Sequence, residues 1–153
     1  MIKKVIIGSD HAGFGLKEKL RPYLEKKGIK VKDIGAFSEE RCDYPHFAYN
    51  VAKAVAEKKF PRGILVCKTG IGNSIVANRL SGVRAALCYN AEAARLSREH
   101  NDSNVLVLGS HFVPEKQARQ ILDIWLNTDF QAGRHSRRLK LLRDIEEGIR
   151  NKK

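Results

Sequence analysis

Short runs of branched aliphatic residues alternate along this chain with stretches whose apolar positions recur at helical spacing. The runs are Val5-Ile6-Ile7, Val31 to Ile34, Ile64-Leu65-Val66, Ala85-Ala86-Leu87 and Val105 to Leu108. Each is short and bounded by turn residues, the pattern of strands buried on both faces of a parallel sheet. Between them, Leu16, Leu20, Tyr23 and Leu24 form one helical stripe, and Gly28 supplies its stop. Phe47, Val51, Ala54 and Val55 form a second, with Pro45 suited to its first turn. Ala118, Ile121, Leu122 and Trp125 form a third after Pro114, and a last helix carries Leu141, Leu142, Ile145 and Ile149. Five strands alternating with helices predict an α/β fold: a doubly wound, five-stranded parallel sheet with helices on both faces and right-handed crossovers. With 153 residues and neither repeat nor linker, the chain reads as a single domain over 1–153.

In such sheets ligands sit beyond the carboxyl ends of the strands. That rule selects four loops: Gly8 to Gly15, Gly35 to Pro45, Cys67 to Ser74 and Gly109 to Pro114.

Composition narrows the setting. Hydrophobic residues at 42% and charged residues at 30% suit one soluble core. The longest apolar run near the start, Val5-Ile6-Ile7, is far short of a signal sequence or membrane span, so the expectation is a cytoplasmic protein with no membrane contact. Cys42, Cys67 and Cys88 are odd in number and far apart, which argues against a disulfide framework and against a zinc site. The net charge of +12 attracts anions. Nucleic acid is one reading, but aromatics are only 7% and none interleaves with the basic clusters as a stacking platform would. Small phosphates fit the same field.

The selected loops hold most of the chemistry. In Ser9-Asp10-His11-Ala12-Gly13, a carboxylate and an imidazole at a strand's end can orient hydroxyls and meet a phosphate; Ser and Asp are equally good helix caps. In Cys67-Lys68-Thr69-Gly70-Ile71-Gly72-Asn73-Ser74, two glycines let backbone N–H groups converge where a helix opens, an anion site suited to a phosphate or an enediolate. Cys67 sits at its lip, where that field is expected to lower the thiol pKa; Cys88, inside a strand, reads as inert. Two tempting motifs fail. Lys68-Thr69 lacks the preceding glycine of a nucleotide P-loop, and Ile75 stands where a dinucleotide fingerprint needs its third glycine. Neither NTP nor NAD is indicated. His100-Asn101 lies in a polar connection before the fifth strand, and by itself is a weak signal. Arg134 and Arg138, spaced i, i+4, would face one way as a phosphate clamp or as a solvated basic face.

Gly8-Ser9-Asp10-His11-Ala12-Gly13-Phe14, Asp43-Tyr44-Pro45-His46, Thr69-Gly70-Ile71-Gly72, Gly82-Val83-Arg84-Ala85, His100 to Leu106, and Gly133-Arg134-His135 followed by Arg138 together resemble the ribose-5-phosphate isomerase B family, which includes the galactose-6-phosphate isomerase subunits. The resemblance covers nearly the whole chain. It implies a Rossmann-like fold, a homodimer (pairing into tetramers left open) with sites shared between chains, and aldose–ketose isomerisation through an enediolate without metal, nucleotide or other cofactor. On it, Cys67 would be the base and Thr69 would assist at the reacting oxygens. Gly70, Ile71, Gly72, Asn73 and Ser74 would hold the enediolate through backbone N–H groups. His100 would open the sugar ring, with Asp10 and Asn101 holding hydroxyls. His11, Arg134 and Arg138 would bind phosphate, and Tyr44 would line the pocket. One branch of the family places a glutamate base at the position of Asn73; this chain resembles the cysteine branch.

Two positions depart from the pattern. Lys68 stands where glycine is usual, and His111 where arginine is common. Lysine disfavours a left-handed backbone, so a negative φ is expected at Lys68. The implied substrate pair is ribose 5-phosphate and ribulose 5-phosphate, of the pentose phosphate pathway. The rivals are a hexose 6-phosphate such as allose or galactose 6-phosphate, and a non-catalytic sugar-phosphate sensor.

Overall fold

A computed structural model describes residues 1–152 of the chain. Among them are five strands and six helices: β1 (Lys4–Ser9), α1 (Phe14–Lys26), β2 (Lys30–Asp33), α2 (Tyr44–Ala56), β3 (Gly63–Cys67), α3 (Ile71–Ala77), β4 (Ala85–Leu87), α4 (Ala91–Asn101), β5 (Val105–Gly109), α5 (Glu115–Asn127) and α6 (Arg134–Arg150). The strands form one all-parallel sheet in the order β2-β1-β3-β5-β4. This is the expected Rossmann-like α/β fold.

Period-two alternation divides the strands between two cores. Val5, Ile7, Ile64, Val66, Leu106 and Leu108 pack with the stripes of α1 and α5, ending in the buried Trp125. Ile6, Leu65, Val105 and Val107 pack on the other face with α2 and α3. Helices therefore cover both faces. Among the described residues no helix is long and apolar enough to cross a membrane.

The structure corrects four local expectations. Only β1, β3 and β5 are buried throughout or nearly so; β2 alternates exposed with half-buried residues, and β4 is half-buried. Both are edge strands, and Lys30 and Lys32 mark the edge at β2. On α2 the buried stripe is Ala48, Val51, Ala52 and Val55, while Phe47 and Ala54 are half-buried. His100 does not lie in a connection but in the last turn of α4. On α6, only His135 is buried, and Leu141, Leu142, Ile145 and Ile149 are exposed.

One buried ion pair sets the entry to a selected loop. Lys17 of α1 is fully buried, with its Nζ 2.5 Å from Asp33 Oδ2 and 3.0 Å from Glu18 Oε1. The other oxygen of Asp33 accepts the Gly35 N–H at 2.9 Å. Phe14 and Phe37 place their rings over the Lys17 ammonium, at 5.4 and 5.5 Å. The pair thus ties the start of the loop from Gly35 to Pro45 to α1. A buried cation that loses its main partner is costly. Asp33→Ala is expected to lower unfolding stability by about 3 kcal/mol, near the low end for such pairs because Glu18 remains. Adding Lys17→Met should restore most of the loss. Urea unfolding of both variants checks this, and an Asp33→Ala chain as stable as the parent would refute it.

Candidate active site

The loops that follow β1, β3 and β5 are stapled together through backbone. A Cβ on Gly13 would collide with the Val66 carbonyl, and one on Gly109 with the Thr69 carbonyl. Only glycine permits so close an approach. Ser110 N–H donates to Cys67 O and His111 N–H to Lys68 O, both at 2.9 Å, while Ser110 Oγ donates to Ala12 O at 2.9 Å. The end of β3, at the centre of the sheet, is thereby held from both neighbouring strands.

Cys67 is the last residue of β3 and is buried. The chain turns through Gly70, whose φ of 83° is left-handed, into α3. This turn brings the Gly70 N–H to 3.1 Å from Cys67 Sγ. Burial is the largest influence on the thiol and pushes its pKa up; N–H groups of Gly70, Asn73 and Thr69 oppose it, and the Asp10 charge adds to the rise. The expected lowering is therefore corrected: in the isolated chain, desolvation outweighs the loop's dipoles. Cys88 is pushed up to about 11 by burial, in keeping with an inert thiol.

Several other predicted residues lie on the loops at this same end of the sheet. Asp10 is buried, and its Oδ1 accepts the Gly13 N–H at 2.9 Å, closing the turn that precedes α1; the helix itself is capped by Gly13 without a side-chain hydrogen bond, so the capping reading is corrected. His11 Nδ1 lies 3.1 Å from Cys42 O and 3.2 Å from Cys42 N, joining the β1 loop to the loop from Gly35 to Pro45. Tyr44 opens α2, and a Cβ on Gly72 would stand 2.5 Å from its Cζ, so the ring lies against the anion loop. Thr69 Oγ1 accepts the Ile71 N–H at 3.2 Å, and Ser74 Oγ donates to Ile71 O at 2.8 Å. Asn73 is fully buried, and neither atom of its carboxamide has a hydrogen-bond partner. Lys68 is exposed and is not among the residues of positive φ, as expected. Among the described residues, no three His, Cys, Asp or Glu side chains group as metal ligands.

The remaining predicted residues lie elsewhere. Because β4 and β5 are parallel, α4 leaves the carboxyl end of one and returns to the amino end of the other. His100 and Asn101, in its last turn, therefore sit at the opposite pole of the sheet from Cys67. Arg134 and Arg138 join them there on the first turns of α6, because His135 between them stacks on His100 with ring centroids 4.3 Å apart and planes 15° from parallel. Burial lowers the His135 pKa, helped by the positive charge of Arg134 and Arg138. His135 is the residue that sequence reasoning left without a role. Its ring contact is 35 positions distant in sequence, and no spacing rule marks it.

Comparison with known proteins is consistent with this geometry. The sequence pattern of the Ribose/Galactose Isomerase family matches residues 5–142. The chain is 45% identical over 146 residues to ribose-5-phosphate isomerase B of Escherichia coli, covering 95% of this chain and 98% of that protein. The structure of ribose-5-phosphate isomerase B from Clostridium thermocellum superposes with a TM-score of 0.94 at 46% identity, over 95% of this chain and 99% of that one. That of the Mycoplasma genitalium enzyme with bound ribulose-5-phosphate gives 0.91 at 38% identity, over 96% and 98% of the two chains.

Burial raises the Cys67 thiol pKa, which sets a pH dependence. Alkylation of Cys67 by iodoacetamide should be slow at neutral pH and still climbing past about pH 8.5, the free-thiol value. Mass mapping of the labelled peptide against pH checks this. A rate already at its plateau by neutral pH would mean that the loop's N–H groups outweigh burial.

Proposed function

Because this chain belongs to the ribose/galactose isomerase family, we propose that it interconverts ribose 5-phosphate and ribulose 5-phosphate through an enediolate. The observation that carries the reading is a thiol beneath backbone N–H groups at the end of the central strand, in a chain 45% identical to a ribose-5-phosphate isomerase B. As thiolate, Cys67 takes the C2 proton and returns it to C1. The enediolate formed between these steps is held by the backbone N–H groups from Gly70 to Ser74, with Thr69 at the reacting oxygens. Asp10 holds a hydroxyl, His11 meets the phosphate and Tyr44 lines the pocket. His100 opens the furanose ring beside Asn101, and Arg134 and Arg138 grip the phosphate. All of this belongs to one domain over residues 1–153, of which the last lies outside the described residues, working in the cytosol.

The separation of the two groups of residues supports a homodimer. One chain holds the base at the carboxyl pole of its sheet and the ring-opening histidine at the amino pole. A two-fold axis that sets one pole against the partner's other pole makes two complete sites. The exposed Leu141, Leu142, Ile145 and Ile149 of α6 supply an apolar face for the second copy.

Two outcomes test the reading. Cys67→Ala should lower kcat by about 100-fold or more with little change in KM, measured with EDTA on a panel of pentose and hexose phosphates. A preference for a hexose 6-phosphate in the parent, or activity surviving in Cys67→Ala, would overturn it. The parent should scatter light as a dimer, and Ile145→Glu, which puts a charge into the apolar face, should yield an inactive monomer. A fully active monomer in either sample would contradict the shared site.

A further inference from the structure

The block Gly82-Val83-Arg84-Ala85 has no part in the chemistry described so far, yet Arg84 reaches the residues that open the ring. Helix α4 ends at Asp102, a non-glycine residue in the left-handed region with φ 46° and ψ 46°. Asp102 N–H returns to Arg98 O at 3.1 Å and Ser103 N–H to Ser97 O at 3.0 Å, which leaves the carbonyls of Asn101 and Asp102 pointing out of the helix end. Arg84 Nε donates to both, at 3.0 Å each. Its terminal nitrogen donates to Asp102 Oδ2 at 3.1 Å. The other carboxylate oxygen of Asp102 accepts from the buried Arg98 at 2.7 Å, and Arg98 also donates to Ser103 O at 2.6 Å.

Arg84 is itself fixed. Its N–H donates to Asn104 Oδ1 at 2.8 Å, and its carbonyl accepts from Asn104 N at 3.0 Å. The guanidinium is thus a rigid fork that grips two successive carbonyls and a carboxylate. A lysine ammonium cannot reproduce that planar fork. The left-handed turn also explains the aspartate: glycine would adopt it more easily, but only a carboxylate can bridge two arginines.

We propose that Arg84 is a positioning residue for ring opening, holding the last turn of α4 so that His100 and Asn101 present one fixed geometry to the sugar. The inference rests on the ring-opening role given above to His100. In that step the proton leaves O1, the C1–O4 bond breaks and O4 takes up a proton. Only ribose 5-phosphate needs it. Ribulose 5-phosphate has its O5 esterified and its carbonyl at C2, so it has no furanose form. Its C1 proton can be removed without any ring chemistry.

This difference separates positioning from mere helix capping. Two rates are measured on each variant: turnover of ribose 5-phosphate, and deuterium entry from D₂O at C1 of ribulose 5-phosphate. Arg84→Lys and Arg84→Ala should lower kcat on ribose 5-phosphate roughly 10-fold or more, as misplacement of a catalytic group does, with exchange within about 3-fold of the parent. His100→Ala should show the same pattern more strongly. Arg84→Lys keeps the charge and carries the test if Arg84→Ala does not fold. Turnover and exchange falling together in Arg84→Lys would make the contact a structural cap and overturn the inference, as would no change in either. If His100→Ala loses both rates while the parent has both, the role of His100 fails and the inference fails with it. A parent that neither turns over nor exchanges would refute the isomerase reading itself.

Discussion

The carboxyl pole of the sheet, where the site is proposed, depends on main chain lying directly on main chain. Where Gly13 meets the Val66 carbonyl and Gly109 meets the Thr69 carbonyl, no side chain can intervene. Three loops from three strands are drawn into one platform, and the N–H donors of Ser110 and His111 close it. Groups that, in the proposed reaction, meet an enediolate to within about half an ångström gain from such a support, because backbone has no rotamers to average over. The position of Cys67 follows from it, and so does the turn at Gly70 that points N–H groups at the sulfur.

The same closeness creates the site's electrostatic tension. Packing the loops tightly buries the thiol, and burial opposes the charge that the proposed base must carry. The dipoles of the loop offset part of this penalty, whereas Asp10 adds to it. The opposite pole of the sheet is basic, with Arg134 and Arg138 exposed beside His100. In the proposed dimer these cations come to the partner's thiol together with the substrate. Lys68, exposed beside Cys67, adds to the positive field around the loop without any ion-pair partner of its own among the described residues.

What the sequence made legible follows the strength of each local signal. Uninterrupted aliphatic runs at Val5, Ile64 and Val105 can only be central strands, and they are. The stripe of α5 was equally plain, because three large apolar residues share one face with Ala118. Helix α4 gave no such sign: its buried residues are Ala94, Ser97 and Arg98, and a buried arginine reads as a surface residue until its partners are known. That is why His100 looked like part of a loop. The lysines of β2 were in view, but edge position depends on sheet order, which no single segment encodes. The turn after Cys67 was legible because glycines that follow a strand and open a helix mark a tight connection, and Gly70 makes it. The direction of its pKa was misjudged because burial is a property of the whole fold. The division of the remaining residues between two poles emerges only once strand direction is known.

That division has a genetic consequence. In the proposed dimer, each site draws its base from one chain and its ring-opening histidine from the other. A chain lacking Cys67 and a chain lacking His100 are each impaired in turning over ribose 5-phosphate when paired with themselves. Paired with one another, they place both defects in one site and leave the other site whole. Two such defective alleles of this gene would therefore complement each other in one cell, each mixed dimer recovering up to half the activity of a parent dimer.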